Sequence, residues 1–137
     1  MHKLVLLFGS NSETGIMQTM NPKTQTYIFE AAMVGNIAFL ELYFEHGGNI
    51  NLFDNKKRTP LHHACANGNL DFVNILIKFG AHINKRDGGK LTPIFYTVKY
   101  HHKQCMKALI EAGADIEVKK PNGDSLIHEA AIYDSAD

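Results

Sequence analysis

The chain has 137 residues, of which 45% are hydrophobic and 20% are charged, a balance that indicates one soluble domain with a modest core. Its 14 basic and 14 acidic side chains cancel at neutral pH, so no bulk charge draws it to nucleic acid or to a membrane surface. The two cysteines, Cys65 and Cys105, lack the spacing of a disulfide framework, which favours free buried thiols in a reducing intracellular compartment, cytoplasmic or nuclear.

The first 20 residues are predicted to form an N-terminal segment of their own. Its apolar run, Leu4 to Phe8, is too short for a secretory signal or for a membrane-spanning helix. Residues 10–15 follow this run as a phosphate-binding loop follows a strand, but they lack the loop's Gly-Lys-Ser/Thr ending, so we interpret them as a turn. We expect the run to act as a cap that covers the apolar side of the helices that follow.

The stretch from Thr59 to Gly68 predicts a short helix with both ends defined. The Thr59 hydroxyl can cap the N-terminus, and Pro60 suits the first helical position, where no N–H is needed. Gly68 can adopt the left-handed conformation that ends a helix, and Gly80 can end the next helix in the same way. The apolar face of this helix consists of Leu61, Ala64 and Cys65. Because two of these side chains are small, a neighbouring helix can approach closely.

This pattern recurs every 33 residues. Thr59-Pro60 is followed by Thr92-Pro93 one step later and by Ser125 two steps later, and Thr26 lies one step earlier. A 33-residue period carrying Thr-Pro-Leu-His-x-Ala resembles the ankyrin repeat, whose unit is a β-turn finger followed by two antiparallel helices. The resemblance runs from about Asn21 to the C-terminus. It implies an all-α solenoid of stacked helix-turn-helix units with short β-turn fingers, about three and a half in number.

The phase of the repeat predicts the organisation of the chain. It places an N-terminal segment at 1–20, a degenerate first repeat at 21–53, a second at 54–86, a third at 87–119 and a partial fourth at 120–137. The fourth has sequence for one helix, from Ser125 to about Tyr133, with Ile127, Ala130 and Ala131 facing inward. Since stacked repeats bury their faces only against neighbours, we expect uncovered apolar surface there, with fraying or self-association.

The resemblance also assigns roles within each repeat. In ankyrin repeats the threonine and histidine of the motif hydrogen-bond locally and brace the finger; Thr59 and His62 match those positions, as does His128 in the last repeat. In the third repeat Phe95 replaces this histidine. His101 replaces the glycine after the first helix, where a left-handed conformation costs a non-glycine residue about 1 kcal/mol.

The finger tips depart from the family pattern as well. Lys57 and Lys90 stand at the position of the family's usual glycine, whereas Gly88-Gly89 come earlier in the finger. We therefore expect the finger tips to be locally irregular.

Two histidine-cysteine strings look like metal-ligand clusters, His62-His63-x-Cys65 and His101-His102-x-x-Cys105. His62 and Cys65 belong to the bracing and core positions of the repeat, so four ligands with zinc-finger spacing do not come together. Neither cysteine has a base, an orienting acid and an oxyanion-binding turn converging on it. We therefore predict no metal, no cofactor, no small-molecule substrate and no enzymatic activity.

The predicted function is binding of another intracellular protein. In an ankyrin-like stack the fingers and first helices line a concave face, and the resemblance implies that side chains there contact the partner. The predicted contact residues are Met33, Asn55, Lys56, Arg58, Asn67, Arg86, Leu91, Lys99, Tyr100, Lys119, Asn122, Asp124 and Tyr133. This face combines a basic rim with an apolar and aromatic row, a composition typical of protein-binding surfaces.

Two alternatives stay open. The basic fingers could bind anionic lipid headgroups or nucleic acid, although no recognised groove-reading helix or stacking platform is present, or their lysines could serve only to keep exposed turns soluble. The chain could also be a targeting fragment of a larger enzyme or signalling protein.

Overall fold

The computed structural model describes residues 28–31, 34 and 36–135, with side chains as far as residue 131. Residues 28–31 and 34 are helical. The remaining helices are α1 Ile37–Glu45, α2 Pro60–Asn67, α3 Leu70–Lys78, α4 Pro93–Lys99, α5 Lys103–Glu111 and α6 Leu126–Ser135. The predicted 1–20 segment, Thr26, Met33 and the side chain of Tyr133 lie outside the described residues.

These helices form two rows. Helices α2, α4 and α6 pack side by side in one row, and α1, α3 and α5 pack side by side in the other. Thr59, Thr92 and Ser125 each stand immediately before a helix of the first row, as the 33-residue phase predicts. The expected stack of helix pairs is thereby confirmed. None of the helices that the structure describes combines the length and apolar character needed to cross a membrane.

The core lies between the two rows and continues from one pair to the next. Leu61 and Ile94 of the first row and Phe72 and Leu76 of the second are almost completely buried. Both cysteines are buried and free, as expected, and burial raises the pKa of each thiol, so both stay protonated at neutral pH. Stacking of apolar faces is therefore what joins the pairs.

The helix ends confirm the predicted stop signals. Gly68 after α2 and Gly80 after α3 both have positive φ, 71° and 89°. His101 occupies the equivalent place after α4 with φ 63°, the left-handed conformation expected for it. The two first-row helices therefore end in the same way although one of them lacks the glycine.

The structure corrects the expected orientation of the last helix. Ile127 is 78% exposed and Ala131 is exposed, whereas Leu126 and Glu129 are buried against α4. Leu61 and Ile94, the equivalents of Ile127, are covered by neighbouring helices, but within the described residues nothing covers that side of α6. Ile127 and Ala131 therefore do not face inward, while the prediction of uncovered apolar surface here is confirmed.

The fingers are regular, so the prediction of irregular tips is wrong. We define the fingers as residues 54–58, 87–91 and 120–124. In each, the first residue's N–H donates to the carbonyl of the fifth, and the fourth residue's N–H donates to the carbonyl of the first, with N···O distances of 2.8–3.0 Å. Lys57 and Lys90 adopt φ values of 60° and 66° at the fourth position, where the third finger has Gly123 at 92°. The lysines thus adopt the conformation of a glycine instead of changing the turn.

Candidate interaction surface

The first finger is held by the side chain of Asp54. Its Oδ1 accepts hydrogen bonds from the backbone N–H groups of Lys56 and Arg58, both at 2.9 Å. Its Oδ2 lies 3.1 Å from the Arg58 guanidinium Nε and 2.9 Å from His63 Nε2 on α2. Burial alone would raise the pKa of Asp54, but the bonds from Arg58, His63 and Lys56 lower it overall. Asp54 is therefore a carboxylate that ties the finger to the helix behind it.

In the other two fingers, the residues equivalent to Asp54 and His63 also pair with each other, but their side chains are of different types. Asp87 Oδ1 accepts from the N–H groups of Gly89 and Leu91, at 2.9 and 3.0 Å, and its Oδ2 accepts from the Tyr96 hydroxyl. In the third finger Lys120 forms an ion pair with Glu129, so the charge is reversed. Each first residue of a finger thus pairs with the residue nine positions later on the first-row helix.

The brace between Thr59 and His62 is confirmed, and it extends into the next finger. The Thr59 N–H donates to His62 Nδ1 over 3.0 Å, so the ring proton is on Nε2, which donates to the Leu91 carbonyl over 3.0 Å. Burial lowers the pKa of His62, which keeps the ring neutral as this bonding requires. The Thr59–His62 brace, which was predicted as a local contact, therefore also links two successive units.

The brace differs in the other two units. Ser125 N–H donates to His128 Nδ1 over 3.2 Å, as the resemblance implied, but His128 is exposed. In the unit that begins with Thr92, Phe95 takes the place of the histidine and is buried in the core. The buried Thr92 hydroxyl has no hydrogen-bond partner among the described residues.

Neighbouring fingers also touch directly. Gly88 N–H donates to the Lys56 carbonyl over 2.8 Å, and a Cβ on Gly88 would lie 2.8 Å from that same oxygen. Arg86 Nη1 donates to the carbonyls of Lys90 and Lys119, at 2.8 and 3.3 Å. The three fingers therefore stand side by side as one continuous edge, and only glycine fits at position 88 without a shift.

The structure places all the described predicted contact residues on the fingers, at the position just before a finger, or at the ends of first-row helices. Eight are exposed: Asn55, Lys56, Asn67, Arg86, Lys99, Tyr100, Lys119 and Asn122. Three are half-buried: Arg58, Leu91 and Asp124. Arg58 and Leu91 also serve the fingers themselves, through Asp54 and His62.

Phe53 is a surface residue of this edge that was not among the predicted contact residues. Phe53 is 53% exposed and precedes the first finger at the position equivalent to Arg86 and Lys119, which were predicted. Subtracting the 33-residue period from Arg86 would have found it. Two further apolar groups are exposed on this side, Val34 at 78% and Tyr100 at 45%, the latter with Lys99 Nζ 5.3 Å from its ring centroid.

Three of the four histidines in the two suspected metal strings make internal contacts. His62 bonds to Leu91, His63 bonds to Asp54 and lies against the Phe29 ring at 4.8 Å, and His102 Nε2 lies 3.1 Å from the Ala66 carbonyl. In the part of the chain with described side chains, no three His, Cys, Asp or Glu residues are grouped to hold a metal ion.

Paired rows of short helices, joined from unit to unit by a shared core and by side-chain bridges, define a helical repeat solenoid. The family model for ankyrin repeats (3 copies) matches residues 2–87, well over half of the chain, and the one for ankyrin repeats (many copies) matches residues 68–110. The chain belongs to the ankyrin-repeat family. Ankyrin repeats are generally protein-protein interaction modules. No curated protein matches the chain.

Proposed function

We propose that this chain is a noncatalytic module that binds another protein through its fingers and the adjoining ends of the first-row helices. The observation that carries the proposal is a contrast between equivalent positions. Val34, Asn67 and Tyr100 share one position in successive units, and all are exposed but chemically unlike. At the position six residues earlier, Ile28, Leu61 and Ile94 are all buried aliphatic residues.

This contrast separates stacking from recognition. Positions that pack one unit on the next tolerate only side chains that fill the core, because each must fit its neighbours closely. A position that is exposed in every unit is free of this requirement, so its chemistry can match a partner. The row Val34, Asn67 and Tyr100 supplies an aliphatic group, an amide and an aromatic ring.

Tyr100 is the strongest candidate anchor. Its half-exposed ring lies beside the Lys99 ammonium, and it follows directly on α4, whose backbone is held by the stack. Tyrosine is over-represented among residues that dominate binding energy at protein interfaces. Because the backbone beneath it is already ordered, docking would cost little conformational entropy.

The test compares two exposed apolar residues on opposite rows. Tyr100 on the first row and Ile110 on α5 of the second row are 45% and 44% exposed. We expect Tyr100→Ala to remove the main protein captured from a source-cell lysate, as quantified by mass spectrometry, and Ile110→Ala to retain it. Circular dichroism should show unchanged helix content in both. Capture lost with Ile110→Ala and retained with Tyr100→Ala would contradict the proposal.

A further inference from the structure

The exposed cations on and just before the fingers form no ion pairs in the part of the chain that the structure describes. Lys56, Lys57, Lys90 and Lys119 are exposed, and within the described residues no ion pair involves them. The acidic groups nearest to Lys56, Lys57 and Lys90 in sequence are turned inward, because Asp54 and Asp87 are bonded to backbone N–H groups and to the first-row helices. Lys119 differs, since Glu117 two residues before it is exposed. The finger edge therefore presents uncompensated positive charge although the chain as a whole is neutral.

These cations belong to one continuous surface. Gly88 of the second finger bonds to the Lys56 carbonyl of the first, and the Arg86 guanidinium bonds to the carbonyls of Lys90 and Lys119. We call this surface the basic ridge and define it by Lys56, Lys57, Arg86, Lys90 and Lys119. Asp124 lies in the third finger, so the positive charge is concentrated on the first two.

The backbone at two of these lysines is strained. Lys57 and Lys90 have φ values of 60° and 66°, in the left-handed region that non-glycine residues rarely adopt, while Gly123 holds the equivalent place in the third finger. A glycine would form the same turn without this strain, so the fold itself gives no reason for a lysine at either tip. Strained residues kept at equivalent positions indicate a role for their side chains.

We infer that the basic ridge docks an acidic, extended polypeptide segment of the partner, with its Asp and Glu carboxylates placed against the lysines. This inference rests on the proposed function and adds the chemistry of the bound segment. Alternate side chains of an extended segment point the same way, so its carboxylates can meet successive cations while other side chains contact apolar groups. Phe53, exposed at the position equivalent to Arg86 and Lys119, provides such an apolar contact.

Other features favour a polypeptide over a polymer of phosphates. The second-row helices carry exposed Glu45, Asp71 and Glu111 together with an equal number of exposed lysines, so they add no net positive charge that would extend the ridge for a long polyanion. A short acidic peptide segment would contact the ridge alone. Exposed Asn55 and Asn122 on the fingers can also hydrogen-bond to peptide groups.

The experiment measures the binding of a fluorescein-labelled, glutamate-rich peptide by fluorescence anisotropy. The test variant is Lys57→Gly with Lys90→Gly, which removes two charges and the strain together. We expect a melting temperature equal to or above that of the unmodified chain, with peptide affinity lower by about three- to tenfold. The matched control is Lys103→Gln with Lys107→Gln, two exposed lysines of α5, which should leave the affinity unchanged.

Four results would overturn the inference. These are no measurable peptide binding by the unmodified chain, equal affinities in the test variant and the unmodified chain, an equal loss in the α5 control, or tighter binding of a single-stranded oligonucleotide or of phosphatidylserine vesicles than of the peptide. The Tyr100→Ala capture experiment distinguishes a failure of the acidic-segment inference from a failure of the proposed protein-binding function. If Tyr100→Ala abolishes capture while the lysine variant changes nothing, the protein-binding surface stands and the acidic segment is wrong.

Discussion

The α2–α3 pair and the α4–α5 pair have the same backbone arrangement but use different side chains to hold it. At the start of α2, Thr59 and His62 bond to each other, and the histidine reaches the Leu91 carbonyl of the next finger. At the start of α4, Phe95 fills the place equivalent to His62 with an apolar ring, and the Thr92 hydroxyl is buried without a partner in the described part of the chain. Both helices nevertheless begin at the same point of the repeat.

The comparison shows that the stack needs a side chain to fill the position of His62 and Phe95 more than it needs a particular hydrogen bond. Apolar burial and a polar brace can each stabilise the start of a first-row helix, but they differ in what happens when a group is removed. A polar brace leaves buried donors and acceptors without partners when it is broken, whereas an apolar contact leaves only a cavity. Equivalent substitutions in the two pairs should therefore have unequal effects.

The largest expected effect is that of His62→Phe, which gives the α2–α3 pair the side chain of the α4–α5 pair. The Thr59 N–H and the Leu91 carbonyl would both lose a buried partner, so we expect the free energy of unfolding to fall by about 2–4 kcal/mol. Urea denaturation monitored by circular dichroism measures this change. Stability equal to that of the unmodified chain would mean that the brace contributes nothing at this site.

The same residue should make stability depend on pH. Burial lowers the pKa of His62 below its ordinary 6.5. As the pH falls, the ring is therefore protonated in the unfolded state before it is protonated in the folded state. The stabilisation is therefore complete above the ordinary pKa and is lost as the pH falls below it towards the lowered pKa of the folded state. Denaturation curves across this range should show that loss, and His62→Phe should reduce its slope. Part of the slope should remain, because burial also lowers the pKa of His63.

The next effect compares two adjacent glycines of the second finger. A Cβ on Gly88 would lie 2.8 Å from the Lys56 carbonyl oxygen, whereas a Cβ on Gly89 would lie at an ordinary 3.4 Å from the Asp87 carboxylate. We expect Gly88→Ala to cost about 1–3 kcal/mol, because the fingers must move apart, and Gly89→Ala to cost much less. Thermal unfolding of the two variants measures the difference. Equal losses would show that the contact between fingers is not tight.

The smallest expected changes in the free energy of unfolding are those of Thr59→Val in the α2–α3 pair and Thr92→Val in the α4–α5 pair, and they should have opposite signs. Thr59→Val removes a helix cap bonded to His62 and should destabilise the chain by about 1–2 kcal/mol. Thr92→Val removes a buried hydroxyl that makes no bond and should stabilise it by about 1 kcal/mol. Chemical denaturation of both variants under one set of conditions measures the signs. A loss of similar size in both would contradict the difference between the two pairs.

The sequence was sufficient to predict what the repeat phase controls. Thr59, Thr92 and Ser125 stand before helices, and Gly68, Gly80 and His101 end or follow them with positive φ, because these features depend on local chain chemistry. The family resemblance supplied the brace of Thr59 and His62. The division into units at 21, 54, 87 and 120 stays a prediction.

The contacts between units could not be predicted in this way. Asp54 pairs with His63, and the equivalent pairs are Asp87 with Tyr96 and Lys120 with Glu129. The aspartate repeats once, but its partner changes each time, so the sequence contains no repeated pair that would predict the contact. The requirement for glycine at 88 depends on a carbonyl 32 residues earlier in the chain. The exposure of Ile127 depends on what packs beside α6, which its own periodicity does not contain.

Hydrogen exchange measured by mass spectrometry, on the chain alone and with its captured partner, would show whether the partner binds at the fingers and the adjoining ends of the first-row helices. If the partner binds there, exchange in the complex should be slower than in the chain alone at the fingers 54–58 and 87–91 and at the C-terminal ends of α2 and α4. Exchange in α3 and α5 should be unchanged. Slower exchange confined to α3 and α5, with the fingers unaffected, would contradict the proposed function.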